Sequence, residues 1–187
     1  ATSGTSPTFA MFSGSGRLGA YQSIGFGATS DAVYLPVVNA NGLVGTGDLK
    51  LTQAWGVRGA YNHNWDPYWS SSLFGSASWV HYSGNAFDLT SAKGQFCAAY
   101  NLSTGGLATK SIDYSCDPDF QIYQVGFITR WTPVKNLTFS AEVMYTRLDQ
   151  HFTGASTLTP AAPKPTAVYE YKDQDTVTMN VRVQRNF

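Results

Sequence analysis

The sequence has no excess of either charge: its 12 basic and 12 acidic side chains balance to a formal net charge of zero. A nucleic-acid partner would call for a basic face, so that class is set aside. Apolar runs are short, and none approaches the roughly 18 residues of a membrane-crossing helix. Cysteine is scarce as well. Cys97 and Cys116 lie in one turn-rich stretch without the paired-Cys and His spacing of a zinc site. They read as a disulfide formed in an oxidising compartment, closing a loop at a gain of roughly 3 kcal/mol. Ser is abundant but never sits in a Gly-x-Ser-x-Gly elbow. His63, His81 and His151 are far apart and fall near strand ends, where solvated or satisfied imidazoles are expected rather than ligands. Asp66, Asp117, Asp119, Asp173 and Asp175 fall in or near turns. No catalytic constellation and no cofactor motif emerge, and the expectation is that the chain is not an enzyme.

What is present is alternation. From Phe120 to Asp149 every second residue is largely apolar: Tyr123, Val125, Phe127 and Trp131 on one arm, Leu137, Phe139, Val143 and Tyr145 on the other. Between them stand Gln124, Arg130, Ser140 and Glu142, and the arms are joined by Pro133-Val134-Lys135-Asn136. Period-2 alternation predicts a half-buried antiparallel hairpin. Each arm is long enough for the roughly 9 to 11 tilted residues that cross a bilayer's hydrocarbon. The same pattern predicts strands over 49–62, 69–82 and 169–187, and a less regular, glycine-rich one over 17–29 with Leu18, Ile24 and Phe26 on one face. Phe74 falls on the polar side of its strand and stands against the pattern. About six strands result, separated by alternately long and tight connections.

Stretches 30–48, 83–118 and 150–168 are the long connections, expected as cell-surface loops, and the expected fold class is all-β, an antiparallel transmembrane β-barrel. Long loops at one end and tight turns at the other are the habit of outer-membrane barrels. Trp65, Trp69, Trp131 and Phe187 gather at the tight-turn end and Tyr82, Tyr145 and Tyr169 at the other, as two aromatic girdles would. Parity places Lys50, Arg58, Arg130, Glu142 and Arg182 on the inward, pore-lining face, with Arg17 a further candidate. An ion pair between Glu142 and Arg182 is expected across neighbouring strands. Arg147 and Arg185 fall outward at the rims, where they can snorkel to headgroups, Arg147 being the candidate for a lipopolysaccharide contact.

The run Trp55-Gly56-Val57-Arg58-Gly59-Ala60-Tyr61, the turn Arg130-Trp131-Thr132-Pro133-Val134-Lys135-Asn136-Leu137-Thr138 and the ending Asn180-Val181-Arg182-Val183-Gln184-Arg185-Asn186-Phe187 resemble the alphaproteobacterial porins of rhizobial and bradyrhizobial type. The resemblance implies a barrel of about 16 strands in the outer membrane of a Gram-negative bacterium, assembled as a homotrimer that passively admits small hydrophilic solutes and ions. It implies an assembly signal at Phe187, with Val183 and Val181 behind it, read by the barrel-assembly machinery. Arg185 departs from the usual aromatic two residues before the end. The resemblance further implies that residues 1–187 are one β-barrel segment, the C-terminal part of a longer porin whose constriction loop precedes Ala1. The chain opens on Ala1-Thr2-Ser3-Gly4 without an initiator Met or signal peptide, in keeping with processing or truncation. A small barrel acting as a surface adhesin or receptor through its long loops is the alternative, and a barrel enzyme a third reading.

Overall fold

The computed structural model describes residues 8–37 and 46–186, with side chains from Met11 onward. In chain order the strands are β1 (Thr8–Ser13), β2 (Gln22–Ala28), β3 (Ala32–Tyr34), β4 (Leu49–Leu51), β5 (Gln53–Asn64) and β6 (Trp69–His81). Helix α1 (Ala92–Ser103) follows, then β7 (Phe120–Val134), β8 (Leu137–Gln150), β9 (Ala155–Leu158), β10 (Ala167–Tyr171) and β11 (Gln174–Arg185). Phe187, the predicted assembly signal, and much of the 30–48 connection lie outside the described residues.

Five strands hydrogen-bond in the order β11-β8-β7-β6-β5. Cross-strand contacts fix their sense. Asn62 meets Ser72, Ser76 meets Gln124, Thr132 meets Thr138, and Glu142 meets Asn180, while Thr178 reaches the Met144 carbonyl. Residue numbers fall on one strand as they rise on its neighbour, so the sheet is an antiparallel meander. Its two tight connections have local causes. At Lys135-Asn136 the backbone needs a left-handed residue, and Asn136 supplies it at φ 69°. At the β5–β6 connection the Asp66 carboxylate accepts the amides of Tyr68 and Trp69 at 2.7 and 2.8 Å, an Asx-type turn that Pro67 preorganises.

The chain divides into two compact units. One consists of the middle stretches of the meander, Gly56–Ser78, Ile122–Arg147 and Asp175–Phe187. Its apolar face stays bare: Tyr61, Leu73, Phe127, Val143 and Met179 form a row across all five strands, each exposed, Met179 to 69 %. In water such a face would be a large liability.

The other unit, comprising the chain up to Trp55, Trp79–Gln121 and Leu148–Gln174, has its own core. Its four-stranded sheet has the order β1-β2-β10-β9, with β2 and β10 parallel and Tyr169 level with Gln22. Ile24, Phe152, Tyr169, Tyr171 and the Cys97–Cys116 disulfide pack together, flanked by Phe26, Phe96 and Tyr100. Helix α1 starts at Ser91, whose hydroxyl accepts the Gly94 amide at 3.1 Å.

Several expectations give way here. The strand predicted over 17–29 is the shorter β2, buried on both faces and outside the meander. Its glycines mark close approach rather than a lipid face. A Cβ at Gly25 would come within 2.5 Å of Gln174, and one at Gly27 within 2.9 Å of the Phe120 ring. The strand predicted over 169–187 is two elements, β10 in the smaller sheet and β11 in the meander. The connections 83–118 and 150–168 hold α1 and β9 rather than bare loop. Five strands rather than about six therefore form the meander, which among the described residues is an open sheet edged by β5 and β11.

Candidate pore wall

The polar face of the meander is built by the parity opposite to the apolar row. Strand β5 contributes Arg58, Ala60 and Asn62, β6 Ser72, Phe74 and Ser76, β7 Gln124, Gly126 and Arg130, β8 Ser140, Glu142 and Thr146, and β11 Thr178, Asn180 and Arg182. Hydrogen bonds tie these rows together. The Ser76 hydroxyl donates to Gln124 Oε1 at 3.3 Å, and Gln124 Nε2 donates to Thr146 Oγ1 at 3.2 Å. Such a wall of hydroxyls, amides and guanidinium groups presents donors and acceptors to water or to a polar solute.

Four of the five predicted pore-lining residues lie on this face. Arg130 donates from Nη1 to Ser72 at 2.8 Å. Glu142 accepts from Asn180 at 3.4 Å, so the expected pairing with Arg182 is replaced by an amide contact; Arg182 stands level with Ser140 instead. Arg58 has neither ion pair nor hydrogen bond among the described residues and borders a cavity of about 450 Å³ with Phe74, Ser76 and Gln124. The fifth, Lys50, is elsewhere. It lies on β4, which the break at Thr52 separates from β5, and pairs with Val33 of β3 in a two-stranded ribbon. Arg17 also leaves the wall: it lies in a turn before β2, bidentate to Asp113 at 2.7 Å.

Of the aromatics expected together at the tight-turn end, Trp65, Trp69 and Trp131 lie there, while Phe187 is outside the described residues. Trp69 and Trp131 lie 6.4 Å apart and Trp131 and Phe139 5.6 Å apart, between ring centroids. The indole N–H groups of Trp65 and Trp69 donate to Ser71 and Thr129. The opposite girdle differs from the expectation, because Tyr82 and Tyr169 are fully buried core residues of the other unit. At that end of β5 and β6, Trp55 and Trp79 stack at 4.0 Å. Arg147, predicted at the rim, is 3.8 Å from Asp175, which also accepts the Tyr145 hydroxyl.

A second cluster escaped the sequence reading. In the unit with the disulfide, Lys93 of α1 places its ammonium 2.8 Å from Asp117 and 2.9 Å from Asp119. Asp119 also accepts the Tyr82 amide at 2.9 Å and meets His81 Nδ1 at 2.6 Å, while His151 lies 3.6 Å from Asp117. Asp117, Asp119 and His151 are close enough to share a cation, yet Lys93 already supplies the positive charge. Burial works against the charge on Lys93, and the hydrogen bonds it donates to Asp117 and Asp119 outweigh that, raising the ammonium's pKa above its ordinary value. The cluster anchors α1; the only sequence signal for it was the acidic pair two residues apart beside Cys116.

No curated protein and no solved structure matches the chain. A family model described as the porin subfamily does match, over residues 18–180. That span includes every strand of the meander except the last residues of β11. With its polar wall, its bare apolar face and a match over most of its length, the chain belongs to the porin subfamily, a family of non-enzymatic channel proteins.

Proposed function

We propose that the meander is wall in a water-filled outer-membrane channel for passive diffusion of small hydrophilic solutes and ions, with Arg58, Arg130, Glu142 and Arg182 facing the passage. The observation that carries this reading is the opposition of the two faces: an uncovered apolar row on one side and a hydrogen-bonded polar wall on the other. In a soluble protein the apolar side would be covered. In a barrel it is wetted by acyl chains while the polar side borders solvent. Trp55 and Trp65 bracket about ten residues of β5. At about 3.3 Å per residue and a tilt near 40°, that stretch spans an apolar band of about 25 Å. On this reading the outward side meets outer-membrane lipid and lipopolysaccharide, and the connections 30–48, 83–118 and 150–168 face the cell surface.

The test is electrical. Reconstituted in planar bilayers, the full-length protein should conduct, and Arg58→Glu with Arg130→Glu should move the reversal potential in a salt gradient toward cation preference. An unchanged reversal potential would reject these arginines as selectivity groups. The compact, disulfide-closed unit favours a second reading, a surface receptor or adhesin. That reading predicts no stepwise conductance.

A further inference from the structure

Phe74 is out of place on a wall of hydroxyls, amides and charges. Its ring lies across Gly126 on the neighbouring strand, where a Cβ would come within 2.3 Å of the ring's far carbon. The missing side chain at Gly126 is what gives the ring room. An aromatic laid over a strand glycine restores lost packing, and that alone could explain the pair. The surroundings point further. Phe74 and Arg58 border the same cavity of about 450 Å³, within the size range of small-molecule sites. Among its lining residues Arg58 is the one charged side chain, and no acid is present. Glu142, on the same face, is engaged by Asn180. Gln124, also lining the cavity, spends its amide on Ser76, Thr146 and the Met144 sulfur, so it is a fixed wall rather than a competing partner for Arg58.

A planar guanidinium without a protein partner matches a carboxylate bidentately. An aromatic ring in the same cavity offers a face or edge to a second flat ring. We propose that Arg58 and Phe74 form a retention site for small carboxylates that carry an aromatic ring, slowing them relative to purely hydrophilic anions of similar charge. The inference rests on the reading that this face borders the aqueous passage, and it names a solute class for that passage. Cations are excluded by Arg58. Aliphatic anions use the guanidinium but gain nothing from the ring.

The experiment compares benzoate, acetate and benzylammonium in two settings. In planar bilayers, benzoate should reduce the chloride current at a concentration about 3- to 10-fold lower than acetate. Benzylammonium should have no such effect. In detergent solution, benzoate's NMR lines should broaden on addition of the protein and acetate's should not. Phe74→Leu keeps an apolar cover over Gly126 but removes the ring, and it should bring benzoate to the level of acetate in both settings. Arg58→Gln should abolish retention of either anion. Equal behaviour of benzoate and acetate, or a benzoate effect that survives Phe74→Leu, would overturn the site while leaving a conducting channel intact. Phe74-dependent benzoate binding in detergent without any current would support the site and sink the channel reading instead.

Discussion

Asp119 holds three partners at once: the Tyr82 amide, the His81 ring and the Lys93 ammonium. A buried carboxylate persists only when so engaged, and the arrangement makes one side of the titration curve decisive. Lys93 is held charged by Asp117 and Asp119, so its contribution is complete below its ordinary value of 10.5 and is lost as pH rises through the higher folded value. Burial pushes the Tyr82 phenol up to about 12, favouring the neutral form, so its contribution is complete below 10.0 and is lost toward pH 12. Burial raises Tyr100 and Tyr114 in the same direction. These terms share one sign. The disulfide-bearing unit should stay protease-resistant up to about pH 10 and open between about pH 10 and 12, in step with tyrosinate absorbance. Opening near neutral pH, or resistance persisting above pH 12, would contradict the anchoring role given to Lys93 and Tyr82.

Element by element, the clearest case is the β7–β8 hairpin, where strict alternation, Asn136 and the flanking apolar runs specify strand, turn and strand within one local stretch. Helix α1 is the contrary case. Its sequence, Ala92–Ser103, carries no strong apolar stripe, and it is held by the Ser91 cap, by Lys93 and by the bond from Cys97 to Cys116 rather than by its own periodicity. Tertiary anchoring of a short helix leaves little trace in local pattern. With a sequence separation of 19, the disulfide should contribute about 3 kcal/mol to that unit on the chain-entropy account. The double replacement Cys97→Ser and Cys116→Ser should lower the urea midpoint for protease protection of residues 83–118 correspondingly. Conductance in bilayers should survive, because no pore-wall residue depends on the bond. Loss of conductance with the loop still protected would count against that separation of roles.

For the whole molecule, the decisive property is which solvent meets each face of the meander. Met179 and Asn180 are neighbours on β11 that point to opposite sides. Met179→Arg should cost about 2 to 4 kcal/mol in lipid, as a charge does near the bilayer midplane, and Asn180→Arg should cost little. Folding into vesicles followed by urea titration reads both. If Met179→Arg were neutral, the exposed apolar row would not be a lipid face, and the channel reading would fall with it.

The sequence by itself determined the hairpins, the two-faced parity, the tight-turn tryptophans and the family, because all of these are local or repeat at a fixed period. Parity alone put Arg58, Arg130, Glu142 and Arg182 on one face of the meander. Only the tertiary structure decided that β2 joins β10 in a separate sheet, that β4 carries Lys50 away from the meander, that Tyr82 and Tyr169 are core rather than girdle, and that Lys93 meets Asp117 and Asp119. Each of those joins residues distant in the chain, and strand pairing between distant segments is chosen by the packing of the assembled unit rather than by any signal within either segment.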